Sequence, residues 1–171
     1  MNLRNNILTA LLLATGLILH QVTPGILGGM KFDFLLSFVF ISLIINPAFG
    51  NVLLTGLLGG LLAAMTTSFP GGQIPNIIDK LVACLVLFPI IRLIPQERFN
   101  SIITFIIGGL GTLISGTAFL ASALFITGLP APMSSMMVTV VIPTAIANAV
   151  GTALLYTVVK RAIKVSGFGI D

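Results

Sequence analysis

The chain has 171 residues, 57% of them hydrophobic, and carries 8 Lys+Arg against 4 Asp+Glu for a net charge of +4. Charged residues make up 7% of the sequence, where a soluble domain has roughly 25%, so the composition suits a bilayer and excludes a soluble fold of this size. Six membrane helices of about 20 residues use about 120 positions, which leaves loops and tails and no room for a separate catalytic or nucleotide-binding domain.

The apolar runs are continuous rather than alternating, which argues for helices and against a transmembrane β-barrel. The expectation is an all-α integral membrane protein, a single membrane domain over residues 1–171. Its first span covers residues 6–22, behind Arg4. That stretch has the shape of a secretory signal, but the chain continues His20-Gln21-Val22-Thr23-Pro24 with no small-x-small cleavage site, so it reads as a retained helix. The second span, 34–49, follows Gly28-Gly29-Met30-Lys31-Phe32-Asp33. The remaining spans are 52–69, 77–94, 102–126 and 136–159. Spans two to four are short for about 30 Å of hydrocarbon, so their connections dip toward the membrane, where irregular backbone is tolerated only against protein or a wet cavity.

Orientation follows from the basic residues. With the N-terminus inside, the cytoplasmic ends hold Arg4, Arg92, Arg98, Lys160, Arg161 and Lys164, and the outer ends hold Lys31 and Lys80, each near an acid, Asp33 and Asp79. Six spans with both termini cytoplasmic is the expected topology. The net positive charge acts through this bias and through anionic headgroups, not through nucleic acid.

Apolar area does not drive helices together in lipid, so small residues must let them approach. Gly56 and Gly60 form a GxxxG in span three. Gly108, Gly111, Thr112, Ser115 and Gly116 do the same in span five, and Ala145, Ala149 and Ala153 in span six. Ala10 and Ala14 lie four apart in span one. Pro89 and Pro143 fall inside spans and are expected to kink them.

Chemistry-bearing residues are few. There is no HExxH, GxSxG or GxxxxGK[ST], and the single cysteine, Cys84, excludes an intrachain disulfide. His20 has no partner at metal-ligand spacing. The expectation is therefore no enzyme, no catalytic residue, no metal and no cofactor. The outer connections gather the remaining polar residues, above all in Phe69-Pro70-Gly71-Gly72-Gln73-Ile74-Pro75-Asn76-Ile77-Ile78-Asp79-Lys80. Asn76 and Asp79 are spaced like a helix capping box, and Asp33 suits the N-cap of span two. Capping needs no lysine, however. Adjacent residues point about 100° apart on a helix, so Asp79 and Lys80 are not expected to pair with each other, and at most one of them faces the interior. Two lysines and two aspartates beside a cavity would suit a zwitterion. Phe32, Phe34, Phe69 and Phe119 serve either as packing or as walls for a flat apolar group. Gln73, Asn76 and Asn148 can each accept a ligand N–H, while Asn148 reads equally as glue between helices.

The FPGGQIPNIIDK run, with Gly29-Met30-Lys31-Phe32-Asp33 and Ser115-Gly116-Thr117, resembles the bacterial tryptophan transport proteins of the TrpP type over nearly the whole chain. Phe32 departs from the family pattern, which has proline between the two charges, so the turn differs there. The resemblance implies the six-helix fold of a substrate-binding S component of an energy-coupling-factor (ECF) transporter, in the bacterial cytoplasmic membrane. It implies L-tryptophan as ligand, with Lys31 or Lys80 at the carboxylate, Asp33 or Asp79 at the ammonium, Phe69 as a wall, and Gln73, Asn76 or Asn148 at the indole N–H. It further implies a transmembrane coupling subunit and two cytoplasmic ATPase subunits as partners, with Ala10 and Ala14 as the docking AxxxA. Two other functions compete. One is a stand-alone secondary permease for an aromatic amino acid, which needs ionisable groups or carbonyls at the midplane. The other is a small structural or sensory membrane subunit without a ligand.

Overall fold

The computed structural model describes residues 3–22 and 33–166, and among these there is no strand. Six helices follow one another: α1 (Leu3–Val22), α2 (Phe34–Ile45), α3 (Phe49–Thr66), α4 (Gln73–Leu93), α5 (Ser101–Ile126) and α6 (Met133–Val165). A 3₁₀ turn, Gln96–Arg98, joins α4 to α5. All but α2 are long and apolar enough to cross a bilayer, as expected of a helical membrane protein.

The short helix α2 is the core. Every residue from Leu35 to Ile45 is buried, and α2 packs against each of the other five helices. At 12 residues it rises about 18 Å, so both of its ends fall inside the bundle and their free backbone groups need partners there. At the start, Asp33 caps the helix, its Oδ1 accepting from the Leu36 amide at 2.9 Å. At the far end, the Asn51 side chain donates to the Ser42 and Asn46 carbonyls at 3.2 and 2.8 Å. The Gln96 side chain donates to the Ile44 carbonyl at 2.9 Å. The two serines of α2 are also satisfied: Ser37 accepts from Thr152 of α6 at 3.1 Å, and Ser42 donates to Thr9 of α1 at 3.2 Å.

The second span ends four residues earlier than the hydropathy indicates, because Pro47 cannot continue a helix and forces the preceding residue out of it. Asn46 accordingly sits at φ −132°, ψ 84°. Helix α3 then starts at Phe49, and α4 starts at Gln73 rather than near residue 77. Pro75 falls in the first turn of α4, where its missing N–H leaves no bond unmade. Pro143 is accommodated by a π-helical stretch, Met137–Val141, immediately before it in α6.

Small residues bring the helices together, as the sequence predicts. A Cβ added at Gly60 would lie 2.8 Å from the Ile77 Cα, which fixes the close crossing of α3 on α4. Gly108 meets Thr152 in the same way, Gly111 meets Phe40, and Gly116 meets Val141, so α5 rests on α6 and on the core helix. Gly71 has φ 72°, a left-handed conformation open to glycine, and turns the chain from α3 into α4 against Thr127.

Candidate functional site

The contacts define two ends of the bundle. At one end Thr9, Ser42, Asn51 and Thr55 form a buried hydrogen-bonded knot between α1, α2 and α3. At the other end lie three buried or half-buried charges, Asp33, Asp79 and Lys80.

Lys80 is only 4% exposed. Its ammonium has three protons and three acceptors around it: Asp79 Oδ2 at 3.1 Å, Asn76 Oδ1 at 3.3 Å and Asp33 Oδ2 at 3.5 Å. The expectation that Asp79 and Lys80 could not pair, with at most one of them inside, is therefore overturned. The 100° separation applies to the Cβ directions, and the four-carbon lysine stem is long enough to swing its head back to its neighbour. Asp79 Oδ2 also accepts a short hydrogen bond from Ser115 of α5, at 2.6 Å. Its Oδ1 is buried and has no hydrogen-bond partner among the described residues.

Asp33 is held from three sides. Its backbone N–H donates to Asn148 Oδ1 at 3.0 Å, and Asn148 Nδ2 donates to Thr112 at 3.2 Å. Asn148 thereby pins the start of α2 to α5 and α6, with both ends of its amide engaged. His20 Nδ1 lies 3.6 Å from Asp33 Oδ1, and it too is buried with no hydrogen-bond partner among the described residues. Burial favours the neutral form of the Asp33 carboxyl, but Lys80, His20 and the Leu36 amide outweigh it, and the group is held below the usual aspartate range.

These charges line an inner cavity of about 210 Å³. Asn76, Asp79 and Lys80 form its polar side, Phe69 and Phe119 one apolar wall, and Met136 and Val140 of the π-helical region another. Phe69 and Phe119 meet edge to face, with ring centroids 5.3 Å apart and planes at 86°, a favoured aromatic arrangement. A wider space of about 480 Å³ adjoins it and shares Asp33, Phe69, Asn76 and Phe119; it extends past His20, Thr67 and Pro130 toward the connections between helices. The outer space alone falls within the roughly 300–1,000 Å³ of small-molecule pockets. A buried cation, two carboxylates and an aromatic wall within one cavity can hold a zwitterion by its charged end and its apolar end at once.

Of the residues singled out from sequence, Asp33, Phe69, Asn76, Asp79 and Lys80 meet at this cavity. Gln73 is exposed at the first position of α4 and does not line it. Lys31 lies outside the described residues, as does Phe32. The Asn76–Asp79 capping box does not form, because Gly72 occupies the N-cap. One turn inside α4, Asn76 donates to the Gly72 carbonyl at 2.7 Å and presents its own carbonyl to Lys80. Ser115, Thr112 and Thr144 add hydroxyls to the lining. For Thr112 and Ser115 the signal in the sequence was a stripe of small and hydroxyl residues, which reads first as helix packing; Thr144 carried none. Among the described residues no three His, Cys, Asp or Glu side chains gather as metal ligands do.

A family model described as "Tryptophan transporter TrpP" matches residues 2–164. A "Probable tryptophan transport protein" of Clostridium acetobutylicum is 44% identical over 168 residues, covering 96% of this chain and 96% of the relative. Proteins with the same description from Clostridium perfringens and Bacillus subtilis are 42% and 37% identical. The first covers 96% of this chain and 97% of the relative, the second 98% and 97%. No solved structure matches the chain.

Proposed function

The chain belongs to the tryptophan transporter TrpP family, and on that premise we propose that it takes up L-tryptophan across the bacterial cytoplasmic membrane as the substrate-binding S component of an ECF transporter, and is not an enzyme. The observation that carries this reading is the Asp33–Lys80–Asp79 cluster at one end of a cavity walled by Phe69 and Phe119. Six spans cross the membrane, α2 being the part of the second span that lies buried in the protein interior, and both termini face the cytoplasm. The end bearing the cavity faces outward.

In this mechanism the substrate ammonium binds Asp79 Oδ1, an acceptor with no hydrogen-bond partner among the described residues. The carboxylate competes with Asp33 for Lys80, and an Asp33 carboxylate released in this way keeps the Leu36 N–H and the His20 ring beside it. Lys31 is a second candidate for the carboxylate. The indole lies against the Phe69–Phe119 corner. With Asn148 and Asn76 each already bonded at both ends of the amide and Gln73 exposed, the indole N–H falls to the Thr144 hydroxyl on the cavity wall. A ligand lacking that N–H leaves a polar acceptor unpaired, which disfavours phenylalanine. Ala10 and Ala14 are exposed on α1 and suit docking on a transmembrane coupling subunit, whose two ATPases drive tipping of the bundle and inward release.

A stand-alone permease is the second reading, carried by the burial of Asp79 and Lys80, because ionisable groups inside a membrane often mark proton or ion paths. Reconstituted uptake separates the two. Under the ECF reading, tryptophan accumulates in proteoliposomes only with the coupling subunit, both ATPases and ATP. Accumulation by this chain alone on a proton or sodium gradient would overturn the ECF assignment while leaving the substrate intact.

A further inference from the structure

The bundle end opposite the charged cavity carries a pocket of about 370 Å³ between the start of α5 and the last turns of α6. Lys160, Arg161 and Lys164 surround it, with Asn100, Ser101 and Thr157 beside them. Lys160 Nζ donates to the Phe99 carbonyl at 3.2 Å and lies 5.6 Å from the centroid of the Tyr156 ring, so its position is set by the protein. Ser101 and Thr157 hydroxyls meet at 3.4 Å across the mouth. Among the described residues no acid forms an ion pair with any of the three cations.

Three cations converging with no counter-charge among the described residues, beside two hydroxyls, match a phosphate group. The direction in which the pocket continues selects the kind of phosphate. Val158 and Leu154 lie one and two turns before Arg161 on the same helix face, 63% and 65% exposed, and Phe105 lies one turn beyond Ser101 on α5. The polar pocket thus opens directly onto an apolar track running into the membrane. We propose that this pocket binds the phosphodiester headgroup of an anionic phospholipid, with an acyl chain along Phe105, Leu154 and Val158. A free phosphate ion would make no use of that track. A zwitterionic lipid would place its own cation among three others, which a basic pocket between helices at a membrane surface disfavours.

The test is native mass spectrometry of the full chain released from mixed phosphatidylglycerol and phosphatidylcholine micelles. Wild type is compared with R161Q/K164Q and with R92Q/R98Q, which removes the same charge elsewhere at that end. All four arginine and lysine side chains are exposed, and helical circular dichroism verifies that each variant folds. Wild type and R92Q/R98Q should retain phosphatidylglycerol, with R161Q/K164Q losing about tenfold or more, as expected for two charges at a membrane surface. Phosphatidylglycerol, and not phosphatidylcholine, should raise the melting temperature of wild type. Equal losses in both variants would reduce the site to diffuse surface attraction and overturn the proposal. So would displacement of the lipid by millimolar inorganic phosphate, or retention that ignores headgroup charge.

Discussion

Lys80 balances two carboxylates in a setting where any one of the three charges left alone is expensive. Removing one partner of a buried ion pair costs about 3–5 kcal/mol, because the other charge stays uncompensated. Lys80→Met leaves both Asp33 and Asp79 without their cation and should destabilise the protein by about that amount. Asp79→Asn leaves Lys80 with Asp33 and should cost less. Adding Asp79→Asn to Lys80→Met should recover part of the loss, and thermal unfolding of the three variants in one detergent checks the order. Ser115→Ala removes the 2.6 Å bond to Asp79 and should lower stability by about 1.5–3 kcal/mol, the range for hydrogen bonds to charged groups. The depressed Asp33 carboxyl also gives a pH signature. A carboxyl whose folded pKa lies below its unfolded value of about 3.9 contributes stability that is complete above that value and is lost as pH falls through the folded pKa. Denaturant unfolding should therefore show stability rising with pH on the acid side up to about pH 4–5 in wild type, with a shallower rise in Asp33→Asn.

Element by element, hydropathy and small-residue spacing point to a helical membrane protein, because a membrane span must be apolar throughout and its contacts must be close. Gly60 against Ile77 is an instance. Gly60→Ala should cost about 1–3 kcal/mol, as overpacking does, since its new Cβ would meet backbone rather than a movable side chain. An unchanged melting temperature would contradict the close crossing of α3 on α4. The ends of α2 were less legible. Its apolar run continues past Ile45, and what stops it is Pro47 together with an acceptor-rich end met by Asn51 and Gln96, partners distant from one another in sequence. The site was legible in part for the same reason. Asp33, Asn76, Asp79 and Lys80 stand out as rare polar residues in an apolar chain. That Lys80 folds back onto Asp79, that Asn148 is engaged in holding Asp33, and that Ser115 belongs to the acid cluster all depend on tertiary distances. Asn51→Leu should leave the Asn46 carbonyl without its side-chain donor and the Thr9 O–H without its acceptor, and destabilise the bundle without altering ligand selectivity.

At the scale of the whole molecule, the bundle separates its tasks by end and by face. Buried charges and aromatic rings occupy one end, basic residues the other, and α1 offers Ala10 and Ala14 on an exposed face. If that face docks on a coupling subunit, A10L/A14L should retain tryptophan binding and lose most ATP-dependent uptake, whereas Asp79→Asn should lose both. The central claim is that the cavity beside Asp79 and Lys80 encloses an aromatic amino acid, and the chain itself supplies a clean assay because it contains no tryptophan and one tyrosine. Fluorescence of L-tryptophan excited at the red edge of the indole band, titrated with purified protein, tests the claim most directly. A saturable blue-shifted emission, displaced by indole analogues but not by leucine and absent in Asp79→Asn, is the predicted result. Emission identical to that of free tryptophan at every protein concentration would contradict it.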